Sequence, residues 1–89
     1  MVKRDVVVNL ITGLHARPAA NLVKMANKFV CDVTLLHNKN EINAKDIWEV
    51  LNGGIENGDG LTVQCNGKDE LMALDEICSY ISNEEVTQL

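Results

Sequence analysis

Apolar residues in this chain switch repeatedly between a two-residue and a 3.6-residue period, and most switches fall at Gly, Asn or Asp. Period two is the pattern of a strand with one buried face, and 3.6 that of a helix with one buried stripe. A chain that alternates between them over such short stretches cannot be an all-helical bundle or an all-β barrel. It must pack helices against a sheet.

The first stretch, Val2 to Ile11, is β-branched and aliphatic, with Val6, Val8 and Leu10 on one face, and reads as a strand. Thr12-Gly13-Leu14-His15 is a turn. Pro18 suits the first turn of a helix, where its missing N–H leaves no bond unmade. Ala19, Leu22, Val23, Ala26 and Val30 then recur at helical spacing, so a helix is expected over about residues 16–28. Cys31 to His37 is the second strand, Asn38-Lys39-Asn40 a tight turn, and Glu41 to Ala44 a short third strand.

Asp46-Ile47-Trp48-Glu49 has the form of a capping box, with an Asp N-cap and a Glu three residues on. A short helix follows and stops at Gly53-Gly54. After the turn residues Asn57-Gly58-Asp59-Gly60, Leu61 to Cys65 is the fourth strand. Asp69 is expected to cap the last helix, with Leu71, Leu74, Ile77, Cys78 and Ile81 as its stripe. The tail from Asn83 to Leu89 is polar and is expected to fray. The order β-α-β-β-α-β-α predicts an α+β, two-layer open-faced sandwich: a four-stranded antiparallel sheet with three helices on one face. Asn9, Asp32, Thr34, Thr62 and Gln64 are expected on the solvated face. Residues 1–89 are expected to form a single domain.

Charge narrows the partners. Eight basic residues against thirteen acidic ones give a net charge of −5, but residues 1–30 carry five basic residues against Asp5 alone. The acidic total argues against nucleic-acid binding, while the basic first third favours an anion or an acidic protein surface. No apolar run suits a signal peptide or a membrane span, so a cytoplasmic protein without membrane insertion is expected. Cys31, Cys65 and Cys78 are odd in number and widely spaced, which favours buried thiols over disulfides or a zinc site.

His15 stands immediately before the first helix. The opening N–H groups of a helix lack internal partners, and the aligned peptide dipoles add about half a positive charge there. Such a position binds phosphate and favours a neutral, nucleophilic imidazole. Arg17, two residues on, offers a guanidinium suited to phosphate oxygens. A solitary histidine at a helix start is more often a cap or a surface residue, so spacing alone leaves phosphoryl transfer the minor reading.

The longer string Gly13-Leu14-His15-Ala16-Arg17-Pro18-Ala19 decides between these readings, because it closely resembles the active-site signature of HPr, the histidine-containing phosphocarrier of the bacterial phosphoenolpyruvate-dependent sugar phosphotransferase system. The resemblance covers essentially the whole chain, including the Ala44-Lys45 segment and the Gly-rich turn before the fourth strand. It implies a phosphoprotein that takes phosphate from phospho-enzyme I on His15, through Nδ1, and passes it to the IIA unit of a sugar permease. Such a protein is a transfer intermediate rather than a turnover enzyme. Arg17 would stabilise the phosphoryl charge. Ala16 and Pro18 would form the phosphate cradle, with backbone N–H groups around Ala16 and Arg17. No metal or organic cofactor is implied.

Ile47, Trp48 and Leu51 crowd a short helix and cannot all face a narrow core stripe; Val50 is the better inward residue. The resemblance implies that this helix docks enzyme I and the IIA unit, with Ala20 and Lys24 of the first helix beside it. Packing of Trp48 on the core is the competing reading. Position 46 is a phosphorylatable serine in many relatives, whereas here it is Asp46, which a serine kinase cannot modify. An engineered substitution at this position is compatible with the sequence. His37 is expected at the surface. The alternatives are a regulatory, co-repressor type of binding protein that docks a transcriptional regulator, and a carrier of a nitrogen-related phosphorelay. A monomer suits a shuttle.

Overall fold

The computed structural model describes residues 1–83; the expected fraying of the tail therefore lies outside the described residues beyond Asn83. The elements are β1 (Val2–Val7), α1 (Ala16–Ala26), β2 (Asp32–His37), β3 (Asn40–Asn43), α2 (Ile47–Asn52), β4 (Gly60–Asn66) and α3 (Glu70–Ser82). The strands form one antiparallel sheet in the order β1-β4-β2-β3. Val2 pairs with Cys65, Leu35 with both Val63 and Ile42, and β4 thus lies between β1 and β2.

Alternation sorts each strand. Val33, Leu35 and His37 of β2 and Leu61, Val63 and Cys65 of β4 are buried on the helix side, while Thr34, Thr62 and Gln64 are half-buried opposite them. The helices close the core with Ala19, Leu22 and Ala26 of α1, Val50 of α2, and Ala73, Leu74, Ile77, Cys78 and Ile81 of α3. All three cysteines are buried free thiols. Burial, followed by the neighbouring Cys31, pushes the Cys65 thiol up to about 12.

Several local expectations are corrected. The first strand ends at Val7 rather than Ile11, because the chain leaves the ladder to bond elsewhere. Val8 N–H donates to the Asp59 carbonyl and Asn9 N–H to that of Ile81, so Asn9 is not part of the solvated sheet face. Val8 is nevertheless buried, and Ile11 is almost fully exposed. The first helix stops at Ala26, where the Asn27 side chain donates to the carbonyls of Val23 and Lys45. The chain then turns Phe29 inward and leaves Val30 exposed. Asp46 caps α2 as expected, its Oδ1 accepting from the N–H groups of Trp48 at 2.9 Å and Glu49 at 3.2 Å. Glu49 does not close the box; its carboxylate accepts from Asn43 N–H instead.

Asp69 occupies the N-cap position of α3 but makes no side-chain cap bond. Its two oxygens accept from the N–H groups of Val30 and Cys31, both at 2.9 Å, tying the start of α3 to the segment before β2. Leu71 is 67% exposed and lies outside the core stripe, which Ala73 enters in its place. At 100° per residue, Leu71 falls on the flank of the arc centred on Leu74, Ile77 and Ile81.

Candidate functional site

His15 is the residue at which an extended chain becomes a helix. It sits at the N-cap of α1 with φ −128° and ψ 163°, and its side chain does not cap the helix. The N–H of Arg17, at the second helical position, is therefore not taken up by the cap that commonly satisfies it, and that of Ala16, at the first, has no intrahelical partner. The imidazole is 38% exposed, neither in the core nor free of the surface. Ala16 has φ 52°, a left-handed conformation that alanine rarely adopts and that costs on the order of 1 kcal/mol or more. This strain falls on the peptide following His15. Pro18 is half-buried in the first turn; lacking an N–H, it can shape a phosphate cradle but not donate to it. Arg17 is exposed and has no ion-pair partner among the described residues.

Two loops meet at this point. Gly13 has φ 67°, and a Cβ there would lie 2.5 Å from the Ile55 carbonyl oxygen and 2.8 Å from Glu56 Cα. The absence of a side chain thus lets the turn before α1 lie directly on the loop before β4, and Leu14 N–H donates to the Ile55 carbonyl at 3.0 Å. The contact brings Glu56 Oε2 within 3.0 Å of His15 Nε2. Glu56 was not among the residues singled out from the sequence. No periodicity or capping pattern marks it, since its relation to His15 spans 41 positions.

The loop carrying Glu56 is itself anchored. Asp59 Oδ2 accepts from Glu56 N–H at 2.9 Å and contacts His37 Nε2 at 3.1 Å. The Glu56 N–H first, and His37 also, hold the Asp59 carboxyl below its ordinary range. His37 is 5% exposed, which corrects its expected surface position, and its Nδ1 is buried without a hydrogen-bond partner. The available signal was parity: His37 follows Val33 and Leu35 at period two on the inward face.

The second group of candidates lies on two packed helices, α1 and α2. Ala20 and Lys24 are exposed on α1. On α2, Trp48 is 70% exposed, Ile47 and Leu51 are half-buried, and Val50 is fully buried. Trp48 is therefore a surface residue rather than a core one. Of the other basic residues in the first third, Arg4 pairs with Asp75 at 2.8 Å and Lys28 lies 4.0 Å from Glu76. Among the described residues, no group of three or more His, Cys, Asp or Glu side chains is placed to share a metal ion, and no helix is long and apolar enough to cross a membrane.

An antiparallel open-faced sandwich that presents a half-exposed histidine at the start of its first helix has the architecture of a small phosphoryl-carrying domain. Residues 2–83 match the family model described as "PTS HPr component phosphorylation site". The chain is 39% identical to the HPr-like protein Crh of Bacillus subtilis strain 168, over 94% of this chain and 99% of that one. It is 32% identical to the phosphocarrier protein HPr of Buchnera aphidicola, over 92% and 96% of the two chains. The crystal structure of HPr from Bacillus anthracis superposes with a TM-score of 0.88 at 35% identity, covering 90% of this chain and 95% of that one. The chain belongs to the HPr family of phosphocarrier proteins.

Proposed function

We propose that this protein is a cytoplasmic, monomeric phosphoryl carrier of a sugar phosphotransferase system, formed by residues 1–89 as one HPr-like domain. His15 accepts phosphate from phospho-enzyme I through Nδ1 and passes it to a sugar-specific IIA unit. The observation that carries this reading is His15 itself: uncapping, half-exposed, and at the positive end of α1, in a chain of this family. Ala16 and Arg17 supply backbone N–H groups to the phosphoryl oxygens, Arg17 adds its guanidinium, and Pro18 shapes the turn. Transfer of this kind depends on positioning and fixed charge. Ala20, Lys24, Ile47, Trp48 and Leu51 form the docking surface for both partners, with Trp48 as its exposed aromatic anchor.

Incubation with enzyme I and labelled phosphoenolpyruvate tests the proposal. The expected result is an acid-labile, base-stable label on the wild type and none on His15→Ala. A wild type that stays unlabelled refutes it.

The 39% identity to an HPr-like protein, Crh, favours a second reading, a regulatory binding protein that docks a transcriptional regulator. The presence of His15 at the start of α1 supports the carrier instead. Capture of such a regulator, lost in Trp48→Ala and unaccompanied by any phosphoryl transfer, would support the second reading. Under either, Asp46 caps α2 through two backbone bonds and offers no hydroxyl to a serine kinase. Its single charge only partly imitates phosphoserine.

A further inference from the structure

We propose that Glu56 is a positioning residue for His15: it grips the imidazole at Nε2, leaves Nδ1 as the nucleophilic atom, and balances the charge the ring gains on phosphorylation. The proposal rests on the carrier reading above. Its basis is the 3.0 Å contact between His15 Nε2 and Glu56 Oε2. A carboxylate accepts hydrogen bonds, so in the neutral ring this contact is made by an Nε2–H donor, and the lone pair then falls on Nδ1.

The contact is a poor device for stability, because both side chains are substantially exposed, at 38% and 63%, and exposed pairs contribute little. The surroundings are instead built to present Glu56. Ile55 is fully buried, and its carbonyl accepts from Leu14 N–H. Glu56 N–H donates to Asp59, whose carboxylate is held in turn by the buried His37. Gly58 N–H donates to the Val8 carbonyl, and Val8 N–H to that of Asp59, both at 2.8 Å. The backbone of Glu56 is thus fixed from both sides, and its side chain reaches the one ring that matters to transfer.

The step balances without any added reagent. The Nδ1 lone pair forms a new N–P bond while the donor's bond to phosphorus breaks, and that bonding pair stays with the donor. Nε2 keeps its proton, so the ring becomes a phosphorylated imidazolium whose positive charge faces the Glu56 carboxylate. On transfer to the next acceptor the Nδ1–P bond breaks and its pair returns to Nδ1. Glu56 touches neither the phosphoryl group nor the partner's nucleophile; it acts through the ring.

The test compares wild type, Glu56→Gln and Glu56→Ala with phospho-enzyme I as donor, together with nitrogen-15 NMR of the His15 ring. The neutral wild-type ring is expected to carry its proton on a hydrogen-bonded Nε2, a signature that both variants weaken. Transfer at saturating donor is expected to fall by about two- to fivefold in Glu56→Ala, the range open to a solvent-exposed charge pair. Glu56→Gln, which retains shape but not charge, is expected to fall as well. The donor concentration for half-saturation should stay the same. Unchanged rates and ring signals, or a loss confined to half-saturation, overturn the proposal while leaving the carrier reading intact. A wild type that accepts no phosphate overturns both.

Discussion

Replacing Gly13 with Ala is the sharpest test of how the site is assembled. Two separable costs follow from the geometry. A non-glycine residue at φ 67° enters the left-handed region, a penalty of about 1–2 kcal/mol. The new methyl would then sit 2.5 Å from the Ile55 carbonyl oxygen and 2.8 Å from Glu56 Cα. Both are backbone atoms of an anchored loop, so neither can swing aside, and forced overpacking typically adds about 1–3 kcal/mol. Alanine restricts the unfolded chain and returns about 0.4–1 kcal/mol. The expected net loss is about 3 kcal/mol, within bounds of about 1–5, against a total stability for a chain of this size of about 4–13 kcal/mol. At about 4–8 °C per kcal/mol, that central loss lowers the melting temperature by roughly 12–24 °C. Gly54→Ala is the internal control. Gly54 has φ 66°, yet nothing lies within 4 Å of its notional Cβ. It carries the backbone penalty alone, a net of about 1 kcal/mol or less. Urea denaturation of both variants isolates the steric part. Equal losses would show that Gly13 does not lie against Ile55 and Glu56 as described. With that contact gone, the route by which Glu56 reaches His15 would fall too.

Four further outcomes are expected. Trp48→Ala should change stability by no more than about 0.5 kcal/mol, as for other exposed sites, while weakening binding to enzyme I. Val50→Ala, in the same helix but fully buried, should cost about 1–3 kcal/mol; isothermal titration and denaturation measure the two effects. Leu74→Ala should cost about 2–5 kcal/mol and Leu71→Ala nearly nothing, because only Leu74 enters the core; comparable losses would restore the Leu71 stripe. The carboxyl of Asp69 is held below its ordinary range by the N–H groups of Val30 and Cys31, so it binds a proton less readily folded than unfolded. Its contribution is complete above the ordinary value of about 3.9 and is lost as the pH falls through the lower folded-state value. Denaturation across the acid range should therefore show a shallower pH dependence in Asp69→Asn than in wild type.

What was legible in the sequence followed from local rules. Strand and helix periods and turn residues give the order and kind of all seven elements, and Asp46 announces the start of α2 because capping is a three-residue affair. The misplacements arise where a longer-range partner outbids the local pattern. Asp69 has the composition of a cap, but the two N–H groups before β2 claim its carboxylate. Val30 continues the helical spacing of α1, but Asn27 ends that helix and Phe29 takes the inward place. His37 looked polar and peripheral, yet strand parity commits it to the core, where Asp59 meets it. The left-handed Ala16 has no local signature at all, since alanine has no preference for positive φ and nothing in its neighbours announces one.

The candidate site divides along the same line. His15 and Arg17 are legible because consecutive residues carry both a helix start and the Gly13–Ala19 string that resembles the HPr signature. Glu56 is not, because it reaches His15 through a meeting of two loops that is held mainly by backbone groups: the Gly13 face, the Leu14–Ile55 bond and the Val8–Asp59 pair. Backbone bonds of this kind leave the exposed side chains at the site free of structural duty. Substitutions at His15, Arg17 or Glu56 should therefore alter transfer while leaving the fold nearly as stable as before. Substitutions at Gly13, which carries no functional group at all, should do the reverse first and disturb transfer only by displacing the loop. A carrier that must yield its phosphoryl group as readily as it takes it benefits from that separation. On the proposed carrier role, the exposed groups can be matched to a donor and an acceptor in succession while the scaffold that aims them stays fixed.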